Sequence, residues 1–223
     1  MVPSDTLGTV RIIAIPVRSL SSSKRRLSPV LSPMERGVLT LAMLEDVLDA
    51  AVAVCGWQTW VISPDETLLE IAARRSVRAV AEDKPPLSGA IRQVEKEALD
   101  CGADALAILL GDVALVTQET LSTALHTLGP VVVAPDRAAE GTNLLVRRPP
   151  RAIQAKFGKS SLAKHREAAV AKGLPVSTVD LPGLAFDLDD PSDIGILLRS
   201  GKEGRARTAL LEMDAASRLT RVS

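Results

Sequence analysis

Apolar positions along the chain fall into two alternating kinds of run. Short, nearly continuous apolar stretches at residues 10–16, 59–62, 77–81, 106–110, 131–134, 143–146 and 176–180 read as β-strands. Between them lie longer segments in which apolar residues recur every three or four positions, the spacing of one helix face. The clearest begins at Ser32, which is suited to cap a helix, with Pro33 at the first helical position and Glu35 completing a capping box. Behind it Val38, Leu41, Leu44, Val47, Leu48 and Ala51 form an apolar stripe. Further helices are predicted over 65–75, 88–99, 118–128 and 161–172, with short ones at 193–198 and 205–214. Several strands are too apolar to leave one face in water, so helices are expected on both faces of an α/β sheet. No Pro/Gly/Ser-rich linker divides the chain and no internal repeat occurs. The expectation is one domain over 1–223, with a short helical appendage from about residue 200.

Composition narrows what such a domain does. The 223 residues carry 27 basic and 27 acidic side chains, and this balance argues against a protein that wraps duplex nucleic acid. The aromatic residues are Trp57, Trp60, Phe157 and Phe186, with no Tyr, which disfavours base-stacking surfaces. His126 and His165 are the two histidines, too few for imidazole-cluster chemistry. Cys55 and Cys101 form no CxxC pair, so neither a structural zinc site nor a disulfide framework is expected. The longest apolar run, 105–110, is far short of a membrane span. Asp5 precedes the first strand and no signal-peptide pattern follows it. A cytoplasmic protein without membrane or nucleic-acid partners is expected.

Four segments carry candidate chemistry. The first strand runs into a Ser-rich loop, 17–27, holding Arg18, Lys24, Arg25 and Arg26. Its hydroxyls, backbone amides and cations suit a phosphate cradle, although a solvated basic loop has the same composition. The strand 106–110 runs into Gly111-Asp112, and ligands in parallel sheets bind outside such strand ends. Asp112 is placed either to hold Mg²⁺ against substrate phosphates or to shape the turn. In Phe186-Asp187-Leu188-Asp189-Asp190-Pro191, an extended backbone sends Asp187 and Asp189 to the same side, with Asp190 a turn or capping residue. Convergence of Asp112, Asp187 and Asp189 would be repulsive unless a divalent cation sat between them. Finally, Phe157-Gly158-Lys159-Ser160-Ser161 precedes a helix whose N-terminus can receive an anion. It is not a P-loop, because the required earlier glycine falls at Ile153, and no GxGxxG occurs. His165, one turn into that helix, and His126 read as structural hydrogen-bonding residues.

Arg18, Lys24, Arg26-Leu27, the helix from Pro33 through Asp46-Val47-Leu48, Gly111-Asp112, Pro135-Asp136-Arg137, Gly141-Thr142-Asn143, Phe157-Gly158 with Ser161 and His165, and Asp187-Leu188-Asp189 occur in an order that resembles a known family. It is the 2-phospholactate guanylyltransferases of coenzyme F-420 biosynthesis, whose members include enzymes acting on phosphoenolpyruvate or 3-phosphoglycerate. The similarity runs from about Arg11 to Leu197. It implies a Rossmann-like three-layer α/β sandwich with a mixed sheet, of the GT-A-like nucleotidyltransferase type. The implied reaction joins the phosphate of a small phospho-acid to the GMP part of GTP and releases pyrophosphate. By position, Asp112, Asp187 and Asp189 would ligate Mg²⁺, two ions being expected. Lys24 and Arg26 would hold the GTP phosphates, Thr142, Gly158 and Ser161 would contact the phospho-acid, and Arg18 and Asn143 would also be substrate-binding. A downstream deazaflavin transferase would take the product, and the enzyme would be a monomer or homodimer.

The chain departs from that family's common pattern at Arg18, Val113-Ala114-Leu115, Pro86-Leu87-Ser88 and Lys159-Ser160. Two other readings remain open on the residues alone. One is a nucleotidyltransferase of the molybdenum-cofactor guanylyltransferase kind, although residues 17–26 lack its glycine-rich loop. The other is a nucleotide-binding module without catalysis.

Overall fold

In the computed structural model, residues 9–83 and 85–219 are described; Asp5 and both extremes of the expected domain lie outside them. Every predicted strand forms. β1 (Val10–Pro16), β2 (Gln58–Ser63), β3 (Arg78–Ala81), β4 (Ala103–Leu109), β5 (Val131–Pro135), β6 (Thr142–Arg147) and β7 (Val176–Thr178) join one sheet in the order β3-β2-β1-β4-β6-β5-β7. The sheet is mixed, because β6 runs antiparallel to both β4 and β5 while the other neighbours are parallel. Only residues 136–141 join β5 to β6, too short a connection for the crossover that a parallel pair requires.

The predicted helices form as α1 (Pro33–Val52), α2 (Glu66–Arg74), α3 (Leu87–Asp100), α4 (Gln118–His126), α5 (Ser161–Val170), α7 (Pro191–Arg199) and α8 (Arg205–Glu212). Two additions are α6 (Pro182–Ala185) and α9 (Ala215–Leu219), and 3₁₀ turns occupy Leu20–Ser22 and Arg25–Leu27. All four are too short to show a helical period. Leu44, Val47 and Leu48 of α1, Leu68 and Ala72 of α2, and Leu121 and Leu125 of α4 pack on one face of the sheet. Ile91 and Val94 of α3 and Leu162 and Ala169 of α5 pack on the other, against Leu106, Ile108 and Leu145. Each fully buried Leu or Ile contributes about 1.5–3 kcal/mol, so an apolar sheet of this kind is stable only when both faces are covered. The result is a three-layer α/β sandwich. Among the described residues, no helix is long and apolar enough to cross a membrane, and both cysteines are free.

The first long helix departs from its predicted stripe in an informative way. The Ser32 capping box forms as expected, with Glu35 N–H donating to Ser32 Oγ at 3.3 Å and Ser32 N–H to Glu35 Oε2 at 2.8 Å. Val38, however, is exposed, whereas Leu39, Ala42, Met43 and Asp46 are buried. The cause is the C-terminal segment: Ala206, Ala209 and Leu210 of α8 pack against Leu39 and Met43. Asp46 accepts the backbone N–H groups of Arg205 and Ala206 at 2.8 and 2.9 Å, satisfying the first turn of α8.

Candidate active site

The strand order reverses at β1. The chain builds β1-β2-β3 outward in one direction, then crosses to place β4 on the other side of β1. Such a reversal opens a crevice at the carboxyl ends of the two strands. Lys24 follows β1, Asp112 follows β4, and β6 begins at the same edge, with Leu110 N–H donating to Asn143 O at 3.0 Å. Gly111 allows the close approach of these segments, since a Cβ there would lie 2.9 Å from Val17 Cγ2.

Lys24 sits in a left-handed backbone conformation, φ 48° and ψ 43°, between the two 3₁₀ turns. That unusual conformation aims its ammonium into the crevice, where it bonds Asp112 Oδ2 at 2.7 Å and Asp189 Oδ1 at 2.8 Å. Its side chain is only 7% exposed, against 29% for Asp112 and 40% for Asp189. Burial disfavours the Lys24 charge, but Asp112 and Asp189 outweigh it and hold the ammonium pKa above its ordinary value. Burial likewise opposes the charge on Asp189, but Lys24, Arg26 and Arg18 reverse the effect and hold that carboxyl below the usual range. Arg26 approaches Asp189 and Asp190 at 3.6 and 3.5 Å from the solvent side. Asp187 is pushed up to about 6 by burial and then by the charges of Asp112 and Asp189.

Asp112 and Asp189 therefore meet on Lys24, and Asp187 lies close enough to feel the charge of both. The ammonium of Lys24 lies between Asp112 and Asp189 and offsets their repulsion. Among the described residues, no three His, Cys, Asp or Glu side chains stand arranged as a ready metal cage. The donor set nevertheless fits Mg²⁺. All the donors are hard carboxylate oxygens, and Asp112 Oδ1 is buried with no hydrogen-bond partner.

In the Ser-rich loop the structure chooses between the two readings of the hydroxyls. Two of the hydroxyls that could have cradled phosphate turn inward: Ser22 Oγ donates to Ser19 O, Ser23 Oγ to Leu20 O, and Thr40 Oγ1 to Ser23 Oγ. Ser19 Oγ and Leu20 N–H donate to Asp65, the N-cap of α2. The loop thus spends its hydroxyls on its own shape and exposes Arg18, Arg25 and Arg26.

The remaining candidates lie on β6 and at the start of α5. Asn143 is buried, and its amide donates to Leu184 O and Ala185 O at 3.0 and 3.2 Å and reaches Asp187 Oδ1 at 3.5 Å. Its position steadies the segment that carries Asp187. Thr142 is buried, and its hydroxyl meets His165 Nδ1 at 3.1 Å. Gly158 has φ +105°, a backbone conformation that favours glycine, and the space where its Cβ would be is open, with nothing within 4 Å. Ser161 opens α5 and its N–H bonds Gly158 O. His126 caps its own helix through Ser122 O, the structural use expected of it.

Two residues not singled out for a role hold the acidic segment in place. Asp193 Oδ2 accepts the backbone N–H groups of Asp189 and Asp190 at 3.0 and 2.8 Å, while its Oδ1 receives Arg137 at 2.6 Å. Asp190 is the N-cap of α7, so Asp193 occupies the third helical position of a capping box, and the spacing Asp190-Pro191-Ser192-Asp193 carries that signal in the sequence.

The chain matches the family described as guanylyl transferase CofC like over residues 10–222. It is 39% identical to the phosphoenolpyruvate guanylyltransferase of Sphaerobacter thermophilus over 186 residues, covering 82% of this chain and 90% of that protein. It is 36% identical to the 3-phospho-D-glycerate guanylyltransferase of Phenylobacterium zucineum, covering 91% and 95%, and 35% identical to the 2-phospho-L-lactate guanylyltransferase of Methanothermobacter thermautotrophicus, covering 89% of each. In fold it is similar to a candidate nucleotide-diphospho-sugar transferase from Desulfovibrio desulfuricans, with a TM-score of 0.77, 16% identity, and coverage of 96% of this chain and 98% of that one. An α/β sandwich with a basic loop and a Lys24–Asp112–Asp189 cluster at its strand reversal, matched along nearly its whole length, this chain belongs to the guanylyl transferase CofC-like family.

Proposed function

We propose that this protein joins the GMP part of GTP to the phosphate of a small phospho-carboxylic acid, releasing pyrophosphate, and so supplies an activated acid for coenzyme F-420 biosynthesis. The observation that carries the reading is the Lys24–Asp112–Asp189 cluster, beside Asp187, at the β1–β4 crevice of a chain in this family. The names of its relatives support phosphoenolpyruvate, 2-phospholactate and 3-phosphoglycerate as the acids to test.

The attacking group is a phosphate oxygen that is already ionised at neutral pH, so no strong general base is required. Such a transfer depends on charge neutralisation, in-line positioning and stabilisation of the leaving pyrophosphate. Asp112, Asp187 and Asp189 are the residues that would hold Mg²⁺, as two ions. Bound there, the metal would neutralise phosphate charge and orient the reacting oxygens. Lys24 exchanges its carboxylate partners for nucleotide phosphate oxygens, and Arg26 and Arg18 attract the triphosphate from the solvent side of the same crevice. Thr142, Gly158 and Ser161 receive the phospho-acid, while Asn143 acts from beneath by holding Asp187. The whole chain 1–223 is taken as one cytoplasmic catalytic domain, a monomer or homodimer, with its C-terminal helices bracing α1. Its product passes to a downstream deazaflavin transferase.

The test is pyrophosphate release from GTP and Mg²⁺ with each of the three acids, run with and without the deazaflavin acceptor and its transferase. One acid is expected to give turnover, and Asp112→Asn to lower it by about 100-fold or more. No release with any acid under either condition overturns the reading.

A further inference from the structure

We infer that His165 is a positioning residue for the phospho-acid: its neutral Nδ1–H tautomer donates to Thr142 Oγ1 and so reserves the Thr142 hydroxyl proton for an anionic ligand. The inference rests on the functional reading above and deepens it by assigning a role to an imidazole that the transfer chemistry does not use.

The tautomer follows from the hydrogen bonds. Lys156 N–H can only donate, and it points at His165 Nε2 at 2.8 Å, so Nε2 carries the lone pair. The single proton of a neutral imidazole is then on Nδ1, which faces Thr142 Oγ1 at 3.1 Å. His165 is fully buried, with the Phe157 ring edge-on at 5.2 Å. Burial first, then the nearby charges of Arg147, Lys156 and Lys164, depress its pKa to about 4, which keeps the ring neutral at working pH.

The consequence falls on Thr142. A hydroxyl has one proton and two lone pairs. With His165 donating, a Thr142 lone pair is used and the proton is free to point elsewhere. With the opposite tautomer, the hydroxyl would spend its proton on the imidazole and present only lone pairs to a phosphate or carboxylate, which is repulsive. An anion offers no proton of its own, so the tautomer decides whether Thr142 attracts or repels it. The same ring, through Lys156 N–H, ties β6 to the turn carrying Gly158, whose positive φ is needed at the mouth of α5. One buried imidazole thereby sets the polarity of Thr142 and the placement of Gly158 and Ser161.

The test uses two isosteric fragments of histidine. In His165→Asn the side-chain amide can replace the Nδ1–H donor, whereas in His165→Gln the carbonyl can replace the Nε2 acceptor and the donor toward Thr142 is lost. Steady-state kinetics on the full chain should show His165→Gln raising KM for the phospho-acid by about 10-fold or more, with KM for GTP and kcat within about 2-fold. His165→Asn should bring the acid KM back to within about 3-fold of wild type. In a Thr142→Val background, His165→Gln should add less than about 2-fold, because its target hydroxyl is gone. Long-range ¹H–¹⁵N correlation on histidine-labelled protein, with His126→Asn to assign the signals, should give a protonated Nδ1 and an unprotonated Nε2 from pH 6 to 8.

Equal defects in the Asn and Gln variants, additivity on Thr142→Val, or an Nε2–H tautomer overturns the inference while the functional reading stands. Absence of pyrophosphate from wild-type protein with every acid overturns the functional reading, and this inference with it.

Discussion

Replacing Lys24 by methionine keeps the volume of the side chain and removes the charge that holds the acidic cluster together. The ammonium lies 2.7 and 2.8 Å from Asp112 and Asp189. Deleting one member of a fully buried ion pair costs about 3–5 kcal/mol. Here the carboxylates keep 29% and 40% of their side-chain exposure, so water replaces part of the lost interaction. The expected loss is therefore smaller, about 1–3 kcal/mol, read as a fall in Tm of roughly 2–10 °C.

The sign of its pH dependence follows from both partners. Lys24 is raised, so its stabilisation is complete below its ordinary value of 10.5 and disappears as pH rises through the higher folded value. Asp189 is lowered, so its share is present above its ordinary value of 3.8 and is lost as pH falls through the lower folded one. The gap between wild type and Lys24→Met should thus be widest between roughly pH 5 and 10, and should close at both extremes.

The same substitution separates two roles of the cluster. Without its internal cation, the nucleotide-free protein should bind Mn²⁺ about 10-fold more tightly, measured by electron paramagnetic resonance. Turnover should nevertheless fall by about 100-fold or more, because a cation that meets phosphate charge is gone. A variant with unchanged Tm and unchanged or weaker Mn²⁺ affinity would refute the view that Lys24 is the cation neutralising these carboxylates.

Further outcomes are expected elsewhere. Gly111→Ala puts a methyl 2.9 Å from Val17 Cγ2 and should cost about 1–3 kcal/mol, with at least a tenfold loss of turnover as Asp112 shifts; wild-type kinetics would refute the close approach. His165, depressed from 6.5 to about 4, takes up a proton more readily when unfolded, so it should remove up to about 3 kcal/mol of stability as pH falls through that window. The urea-measured advantage of wild type over His165→Gln should accordingly shrink in acid, and a pH-independent difference would refute it. Arg147 is fully buried, with Nε and Nη2 unpartnered and Glu95 its counter-charge. Glu95→Gln should lower unfolding stability by about 2–4 kcal/mol, and a change below about 0.5 kcal/mol would show that the pair contributes little.

Much of the fold was legible because period and capping are local. The seven apolar runs became seven strands, and Ser32-Pro33-Glu35 opened α1 as its spacing predicts. Of the candidate site, the placement of Asp112 after a strand and of Asp187 and Asp189 in an extended segment was legible because strand ends and residue period are local. The inward turn of the serine hydroxyls was not legible, since composition cannot say whether Ser22 and Ser23 face a ligand or their own loop carbonyls. Neither was the pairing of Arg137 with Asp193, which joins residues 56 positions apart.

The sequence by itself determined the alternation of strands and helices, the buried positions of both sheet faces, and a basic loop and acidic residues placed at strand ends. These depend on neighbours within a few residues, where side-chain period and backbone propensity act. Tertiary structure decided what touches what. It put Lys24 between carboxylates 88 and 165 residues away, covered the far side of α1 with α8, and gave His165 one donor and one acceptor that fix its tautomer. Charge compensation acts over a few ångströms, and only the folded chain brings distant residues within that range.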